Sequence, residues 1–256
     1  MDYRLLITDL DGTLLRKDKS ISRRTLLALE KCRRKGILVA FATARSEMEA
    51  KRFIEKVHPD MVILNGGAAI FHLDKMIYRK LLDRDTVKGI VDMCRELSQG
   101  EITVDADDGY YWNYQSGEDL DQDHAEAIYD DFTHFHRPAY KVTPWIEREE
   151  DAAKIAHAFP DCEMLSFTGE CWRRFAAKGA DKVSAIGWLS DYLGITMKQI
   201  IAFGDDYNDV GMLKAVGMGV AMENGIEEIK KMADAVTLSN EADGVAAYIE
   251  KHILEE

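Results

Sequence analysis

Short apolar runs recur along this chain, and segments with helical periodicity separate them. Strands are expected over residues 4–9 (with Leu5-Leu6-Ile7 at the centre), 37–41, 61–64, 200–203, 219–221 and 235–237. A strand apolar at nearly every position has both faces covered, the condition of a parallel sheet between two helical layers. Helices are expected between them, over residues 46–56, 182–193, 208–216, 226–232 and from Gly244 onward. The first helix has Ser20 or Ser22 as its cap, an apolar stripe that includes Leu26, Leu27 and Leu29, and Gly36 at its close. Strands alternating with helices in this way predict an α/β fold built on a parallel sheet.

The rhythm changes after Asn65-Gly66-Gly67. Residues 68–71 and 76–78 read as a hairpin leading out of the core, followed by a helix over 83–99 and antiparallel strands at 102–104 and 110–112 around Asp107-Asp108-Gly109. Strand patterns return at 164–167 and 172–175, while residues 115–144 show no clear period. Charge marks the same stretch. Residues 81–180 hold 22 Asp or Glu against 10 Lys or Arg, a balance of −12, whereas the rest of the chain is near neutral at −1. The expected organisation is a discontinuous core, residues 1–80 and 181–256, interrupted by an α+β insert over 81–180.

With 46% apolar and 31% charged residues, the 256-residue chain has the composition of a globular protein. A net charge of −13 disfavours nucleic acid and anionic membrane as partners. The longest apolar run, residues 37–42, falls far short of the roughly 18 residues a membrane span needs. No secretory pattern follows Met1, so the cytoplasm is the expected location. Cys32, Cys94, Cys162 and Cys171 lack metal-type spacing and read as buried thiols. The acidic stretch 117–123 reads as a solvated loop or helix entrance.

Three of the buried strands end in polar groups: Asp9 with Asp11, Thr43, and Asp205 with Asp206 and Asp209. In an open parallel sheet, ligands bind outside those carboxyl ends. Carboxylates gathered there repel one another unless a cation sits among them, and a hard oxygen set suits Mg²⁺. Taken singly, Asp-x-Asp-Gly-Thr also fits an Asx turn, and Gly204-Asp205-Asp206-Tyr207-Asn208-Asp209 also fits the acidic start of a helix. Their joint occurrence at both ends of one α/β core points to a site.

Asp9-Leu10-Asp11-Gly12-Thr13-Leu14, Thr43 at a strand end, Lys182 before a helix, and Gly204-Asp205-x-x-Asn208-Asp209 resemble, in order, the four motifs of the haloacid dehalogenase superfamily. Ala42-Thr43-Ala44-Arg45, Asn65-Gly66 and residues 239–245 are similar to its Cof-type phosphatases, whose cap (type IIB) lies between the second and third motifs. The resemblance covers the core and implies a Rossmann-like core with an α/β cap that reads the substrate. It implies a Mg²⁺-dependent phosphatase in which Asp9 is the nucleophile that forms an aspartyl-phosphate and Asp11 the general acid and base. Mg²⁺ would be held by the Asp9 carboxylate, the Asp11 backbone carbonyl and Asp205. Thr43, Lys182 and Asn208 would bind the phosphoryl oxygens, with Asp209 orienting Lys182 or a metal-bound water. Lys178 is a second candidate for the lysine. Where the family more often has glycine, this chain has Ala44, and residues 171–177 depart from its pattern.

For the substrate beyond its phosphate, the candidates are Arg45, Asn65, Gly66 and Arg173, with the aromatic run Tyr110, Tyr111, Trp112 and Tyr114 supplying either the cap core or the cleft. Arg173 and Arg174 fall on opposite faces of a strand, so at most one meets a ligand. His134 and His136 have no third ligand type beside them. The expected partner is a small phosphorylated metabolite, a sugar phosphate above all. The alternatives are a sugar phosphomutase on the same core, and an idle protein that only binds such a metabolite. The full set Asp9, Asp11, Thr43, Lys182 and Asp205 argues against idleness.

Overall fold

The computed structural model describes residues 2–97, 100–114, 124, 126–167 and 169–254. In chain order the elements are β1 (Leu5–Thr8), α1 (Arg23–Arg34), β2 (Leu38–Ala42), α2 (Glu47–Val57), β3 (Met61–Leu64), β4 (Ala69–His72), β5 (Lys75–Arg79) and α3 (Arg84–Leu97). Then come β6 (Ile102–Ala106), β7 (Gly109–Trp112), β8 (Ile128–Tyr129), β9 (Ala139–Pro144), α4 (Glu149–Ala158), β10 (Cys162–Ser166) and β11 (Arg173–Ala177). The chain closes with α5 (Lys182–Leu193), β12 (Ile200–Gly204), α6 (Val210–Ala215), β13 (Met218–Ala221), α7 (Glu227–Met232), β14 (Ala235–Val236) and α8 (Gly244–Ile249). None of the helices among the described residues is long and apolar enough to cross a membrane.

The chain divides into two compact units: Met1–Ala44, Ile54–Ile77 and Lys182–Glu256 form the first, and Arg45–Phe53 with Tyr78–Asp181 the second. The first is built on an eight-stranded sheet of order β14-β13-β12-β1-β2-β3-β4-β5. β1 runs parallel to both β2 and β12. From β1 the chain steps outward through β2 and β3, then later through β12, β13 and β14 on the other side, so the topological switch lies at β1 and its neighbours. Every residue of β1 and β12 is buried, as the apolar runs require. Ser22 caps α1 by accepting from the Thr25 amide.

The hairpin expected to lead out of the core instead widens it. β4 pairs antiparallel with β3, Ile63 facing Ile70, and β5 follows as the edge strand. An antiparallel return needs only the tight turn at Asn65, Gly66 and Gly67, all with positive φ, so it completes the sheet where a crossover would need a further helix. The expected helix over 208–216 is divided into a short 3₁₀ turn at Tyr207–Asp209 and then α6.

The second unit holds a six-stranded sheet of order β10-β11-β9-β6-β7-β8. One face packs on α3 and α4. Val87, Ile90, Val91 and Cys94, a stripe at helical spacing, bury themselves against Ile102, Val104, Tyr111, Val142 and Phe175. Each such side chain contributes about 1.5–3 kcal/mol by leaving water. β9, in the stretch without a legible period, is central to this sheet. The acidic stretch 117–123 lies outside the described residues.

Candidate active site

The site is built at the carboxyl ends of β1, β2 and β12. Asp9 follows β1 directly and its amide donates to the Phe203 carbonyl, 3.1 Å, extending the ladder by one residue beyond Thr8. Lys182, the first residue of α5, places Nζ 2.7 Å from Asp9 Oδ1 and 2.6 Å from Asp209 Oδ1. All three side chains are buried. The other oxygen of Asp209 accepts from the backbone amides of Asp205 and Asp206, at 3.0 and 3.3 Å. Thr13 donates to Asp205 Oδ1 at 2.7 Å. A single network therefore ties the turn after β1 to the turn after β12.

Electrostatics follow from burial. Desolvation and then the neighbouring carboxylates Asp209 and Asp205 push the Asp9 carboxyl above its ordinary value, while Lys182 pulls the other way. For Lys182, burial favours the neutral amine, but Asp209 and Asp9 outweigh it and hold the ammonium. Asp205 is raised to about 7, first by burial and then by Asp209 and Asp206, against the hydrogen bond from Thr13. One ammonium does not neutralise three acids.

Carboxylate oxygens of Asp9, Asp205 and Asp209 lie within 4.8 Å of one another. Both Asp209 oxygens are already engaged by Lys182 and backbone amides, so Asp9 and Asp205 are the pair suited to a hard divalent cation. The turn between them is shaped for close approach. Gly12 has φ +76, and a Cβ there would stand 2.1 Å from Asp205 Oδ2. This space and the oxygen donor set fit Mg²⁺.

Asp11 points elsewhere: its Oδ1 pairs with Lys19 Nζ at 2.7 Å, on the exposed side of the turn. Thr43 is buried just beyond β2. Its amide donates to the Ile63 carbonyl and its own carbonyl accepts from the Gly66 amide, both at 2.9 Å, so the 65–67 turn is braced against it. Asn65 is buried with φ +55, a conformation that asparagine tolerates better than most residues. Asn208 sits on the short helix beside Asp209, and its Oδ1 is shielded without a partner among the described residues.

Other candidates lie in the second unit. Lys178 is exposed there, and Lys182 holds the place beside Asp9. Arg45 donates to the Glu49 carbonyl at 3.1 Å and lies over the Phe53 ring. Arg173 is buried against Glu149 Oε2 at 3.1 Å and the carbonyls of Glu170 and Trp172. Arg174 donates to the Ala180 carbonyl, 2.7 Å. Asp107 and Asp108 form exposed ion pairs with Arg79 and Arg137. His136 pairs with Asp85 at 2.7 Å.

Sequence reasoning gave Asn224 no part, and Asn240 only a place within the 239–245 motif without a role. Asn224 Nδ2 donates to the Gly12 carbonyl at 2.8 Å, and its Oδ1 accepts from the Asn240 amide at 2.9 Å. Asn240 Nδ2 in turn holds the Leu15 carbonyl at 2.8 Å. Glu223-Asn224-Gly225 is a turn signature directly after the expected strand at 219–221, and that position was the available signal.

Comparison with known proteins agrees with this geometry. Over 97% of both chains it is 29% identical to the 5-amino-6-(5-phospho-D-ribitylamino)uracil phosphatase YitU of Bacillus subtilis. A haloacid dehalogenase-like hydrolase from Bacteroides thetaiotaomicron superposes with TM-score 0.82 at 25% identity, over 97% of this chain and 99% of its own. A subclass IIB sugar phosphatase of the same superfamily shares the fold, with TM-score 0.83 at 24% identity over 96% of this chain and 98% of the other. Residues 6–249 match the haloacid dehalogenase-like hydrolases, and the chain belongs to that family of enzymes.

Proposed function

We propose that the protein is a Mg²⁺-dependent phosphatase that hydrolyses a small phosphorylated metabolite of the cytoplasm, a sugar or polyol phosphate, through an aspartyl-phosphate. The observation that carries this reading is the buried ammonium of Lys182 between Asp9 and Asp209, beside Asp205, at the switch point of the sheet. The action of the Bacillus relative on a phosphoribityl compound and the sugar phosphatase of like fold support the substrate class.

Asp9 attacks phosphorus and the alcohol leaves. A carboxylate suits this role because the acyl phosphate formed is readily hydrolysed. Asp11 protonates the departing oxygen and then, as base, takes a proton from the water that opens the intermediate. This role requires its carboxylate to leave Lys19, its exposed partner at 2.7 Å, for the leaving oxygen. Lys182, Thr43 and Asn208 hold the phosphoryl oxygens, Asn208 by donating from its amide nitrogen. Asp209 fixes Lys182 and, through the Asp205 amide, the turn that presents Asp205. Asp9, the Asp11 carbonyl and Asp205 would hold Mg²⁺, which when bound neutralises the acids and the phosphate charge.

Phosphate release from a panel of phosphorylated metabolites, with and without chelator, tests the reading. Expected are Mg²⁺-dependent turnover and its loss in Asp9→Asn, because the amide keeps the shape but not the nucleophile. Asp11→Asn should harm alkyl phosphates more than aryl phosphates, whose leaving groups need little protonation. Full activity in excess chelator, or more than a few per cent of activity in Asp9→Asn, would overturn it.

A further inference from the structure

The turn after β13, residues 222–226, carries none of the acids described above, yet it is joined to both turns that do. All the residues concerned lie in the first unit. The Met222 amide donates to the Gly204 carbonyl at 3.0 Å, and the Ile226 amide to the Asp205 carbonyl at 2.9 Å. Gly225 packs so closely there that a Cβ would stand 2.9 Å from the Asp205 carbonyl oxygen. Between these contacts Asn224 reaches the other way, its Nδ2 donating to the Gly12 carbonyl at 2.8 Å. The turn is thus a common reference for the backbone of Asp205 and for the backbone between Asp11 and Thr13.

Asn224 fits in one orientation only. Gly12 offers a carbonyl, which must accept, and Asn240 offers a backbone amide, which donates to Asn224 Oδ1 at 2.9 Å. The base of this brace is itself fixed. Asn240 is buried and holds the Leu15 carbonyl, Glu241 accepts from the Lys17 amide at 2.7 Å, and Asp243 pairs with Arg16 at 2.8 Å. The 239–245 motif, which the phosphatase reading leaves without a role, therefore grips three successive residues of the loop beyond the Asp9 turn.

Satisfying the Gly12 carbonyl does not require Asn224. Gly12 is half-buried and Asn224 exposed, so water would serve the same oxygen. What water does not supply is direction. Gly12 has φ +76 and no side chain, and glycine has the widest backbone freedom of any residue. The peptide before it carries the Asp11 carbonyl, and the peptide after it leads into Thr13, whose hydroxyl holds Asp205. A rotation at Gly12 would turn the first or draw the second away. A donor on the Gly12 carbonyl removes that freedom at the residue that has most of it.

Resting on the phosphatase reading, we propose that Asn224 is a positioning residue of the reaction, which through the Gly12 carbonyl sets the direction of the Asp11 carbonyl and the spacing between Asp9 and Asp205. That spacing governs how tightly these oxygens hold a cation such as Mg²⁺, whose octahedral geometry tolerates little error.

The test titrates Mg²⁺ calorimetrically into metal-free wild type, Asn224→Asp and Asn240→Ala, and follows p-nitrophenyl phosphate hydrolysis at varied Mg²⁺. The aspartate keeps the acceptor for the Asn240 amide and loses the donor to Gly12. Its added negative charge by itself favours a cation, so weaker binding reports lost positioning. Asn224→Asp is expected to raise the Mg²⁺ Kd about tenfold, the effect of removing a group that orients a metal ligand. The Mg²⁺ concentration for half-maximal hydrolysis should rise in parallel, with the melting temperature of the metal-free protein close to that of wild type. Asn240→Ala keeps the backbone amide that anchors Asn224 and loses only the bond to Leu15, so it should lower the melting temperature and move the Mg²⁺ Kd much less. The inference falls if Asn224→Asp binds Mg²⁺ as tightly as wild type, if it is destabilised as much as Asn240→Ala, or if both variants weaken Mg²⁺ equally, which would make the brace a matter of general rigidity. Those results leave the phosphatase reading standing. A wild type that binds no Mg²⁺ overturns the inference together with the Mg²⁺-dependent reading.

Discussion

Lys182 lies 2.6 Å from Asp209, while the far oxygen of the same carboxylate accepts from the Asp205 amide at 3.0 Å. Asp209 is thus a strut between the ammonium and the turn that carries Asp205. A buried lysine without such a partner favours its neutral form and loses its fixed position.

Asp209→Asn should therefore lower kcat by about 10–100-fold, the range seen when a group that orients a ligand is removed. KM should change less, because Lys182 keeps Asp9 as a partner. The same change should destabilise the fold by about 3–5 kcal/mol, because it leaves a buried ion pair incomplete. Steady-state kinetics and urea denaturation check both. An unchanged kcat in a folded variant would remove Asp209 from this role.

Gly12→Ala tests the space beside Asp205. The new methyl would sit 2.1 Å from Asp205 Oδ2, and φ +76 is strained for any residue with a Cβ. The turn should yield and displace Asp205, so the expected outcome is at least a tenfold weaker Mg²⁺ dependence of activity with far-ultraviolet circular dichroism preserved. Gly36→Ala is the control, since its φ is +82 but nothing lies within 4 Å of a Cβ there. Equal effects from both would mean backbone strain alone is responsible.

The contrast between the two sheets shows what periodicity reveals. β1, β2, β3 and β12 are apolar at nearly every position and are legible as strands from the sequence alone. The acids that follow them were legible too, because a carboxylate at the end of a buried strand has few structural reasons to be there. β9 was not. Its Tyr140-Lys141-Val142-Thr143 lies in the stretch 115–144 that shows no clear period, and nothing local reveals that Lys141 and Thr143 are buried. Asp105 and Thr103 escaped notice for the same reason. Arg173 stood out by its charge, yet Glu149, brought near only by tertiary packing, already holds it.

Two cysteines should be nearly inert. Burial pushes the Cys32 thiol to about 11 and the Cys94 thiol to about 12, and the thiolate is the reactive form. In the native protein at pH 8, a maleimide should leave both unmodified over a time that labels all four cysteines in urea. Mass spectrometry of the digested protein reads the sites. Rapid native labelling of Cys94 would contradict its burial between α3 and the sheet of the second unit.

Glu49 gives a pH dependence whose sign is set by its surroundings. Burial acts to raise its carboxyl, but Lys141, His124, and the amide and hydroxyl of Ser46 outweigh this and hold it well below the ordinary value of 4.5. A carboxyl depressed on folding contributes stability that is complete above its unfolded value and is lost as pH falls toward its folded one. Glu49→Gln removes a carboxylate that accepts from the Ser46 amide at 2.7 Å, and should lower stability at pH 7 by about 1.5–3 kcal/mol, the contribution of a hydrogen bond to a charged group. Below about pH 4.5 the unfolded wild-type chain takes up a proton that the folded one refuses, so the gap between wild type and Glu49→Gln should narrow steadily toward pH 2. Urea midpoints measured across pH 2–7 decide the matter. A gap that stays constant through the acid range would mean that Glu49 carries the same proton folded and unfolded, and that Lys141 is neutralised by another group.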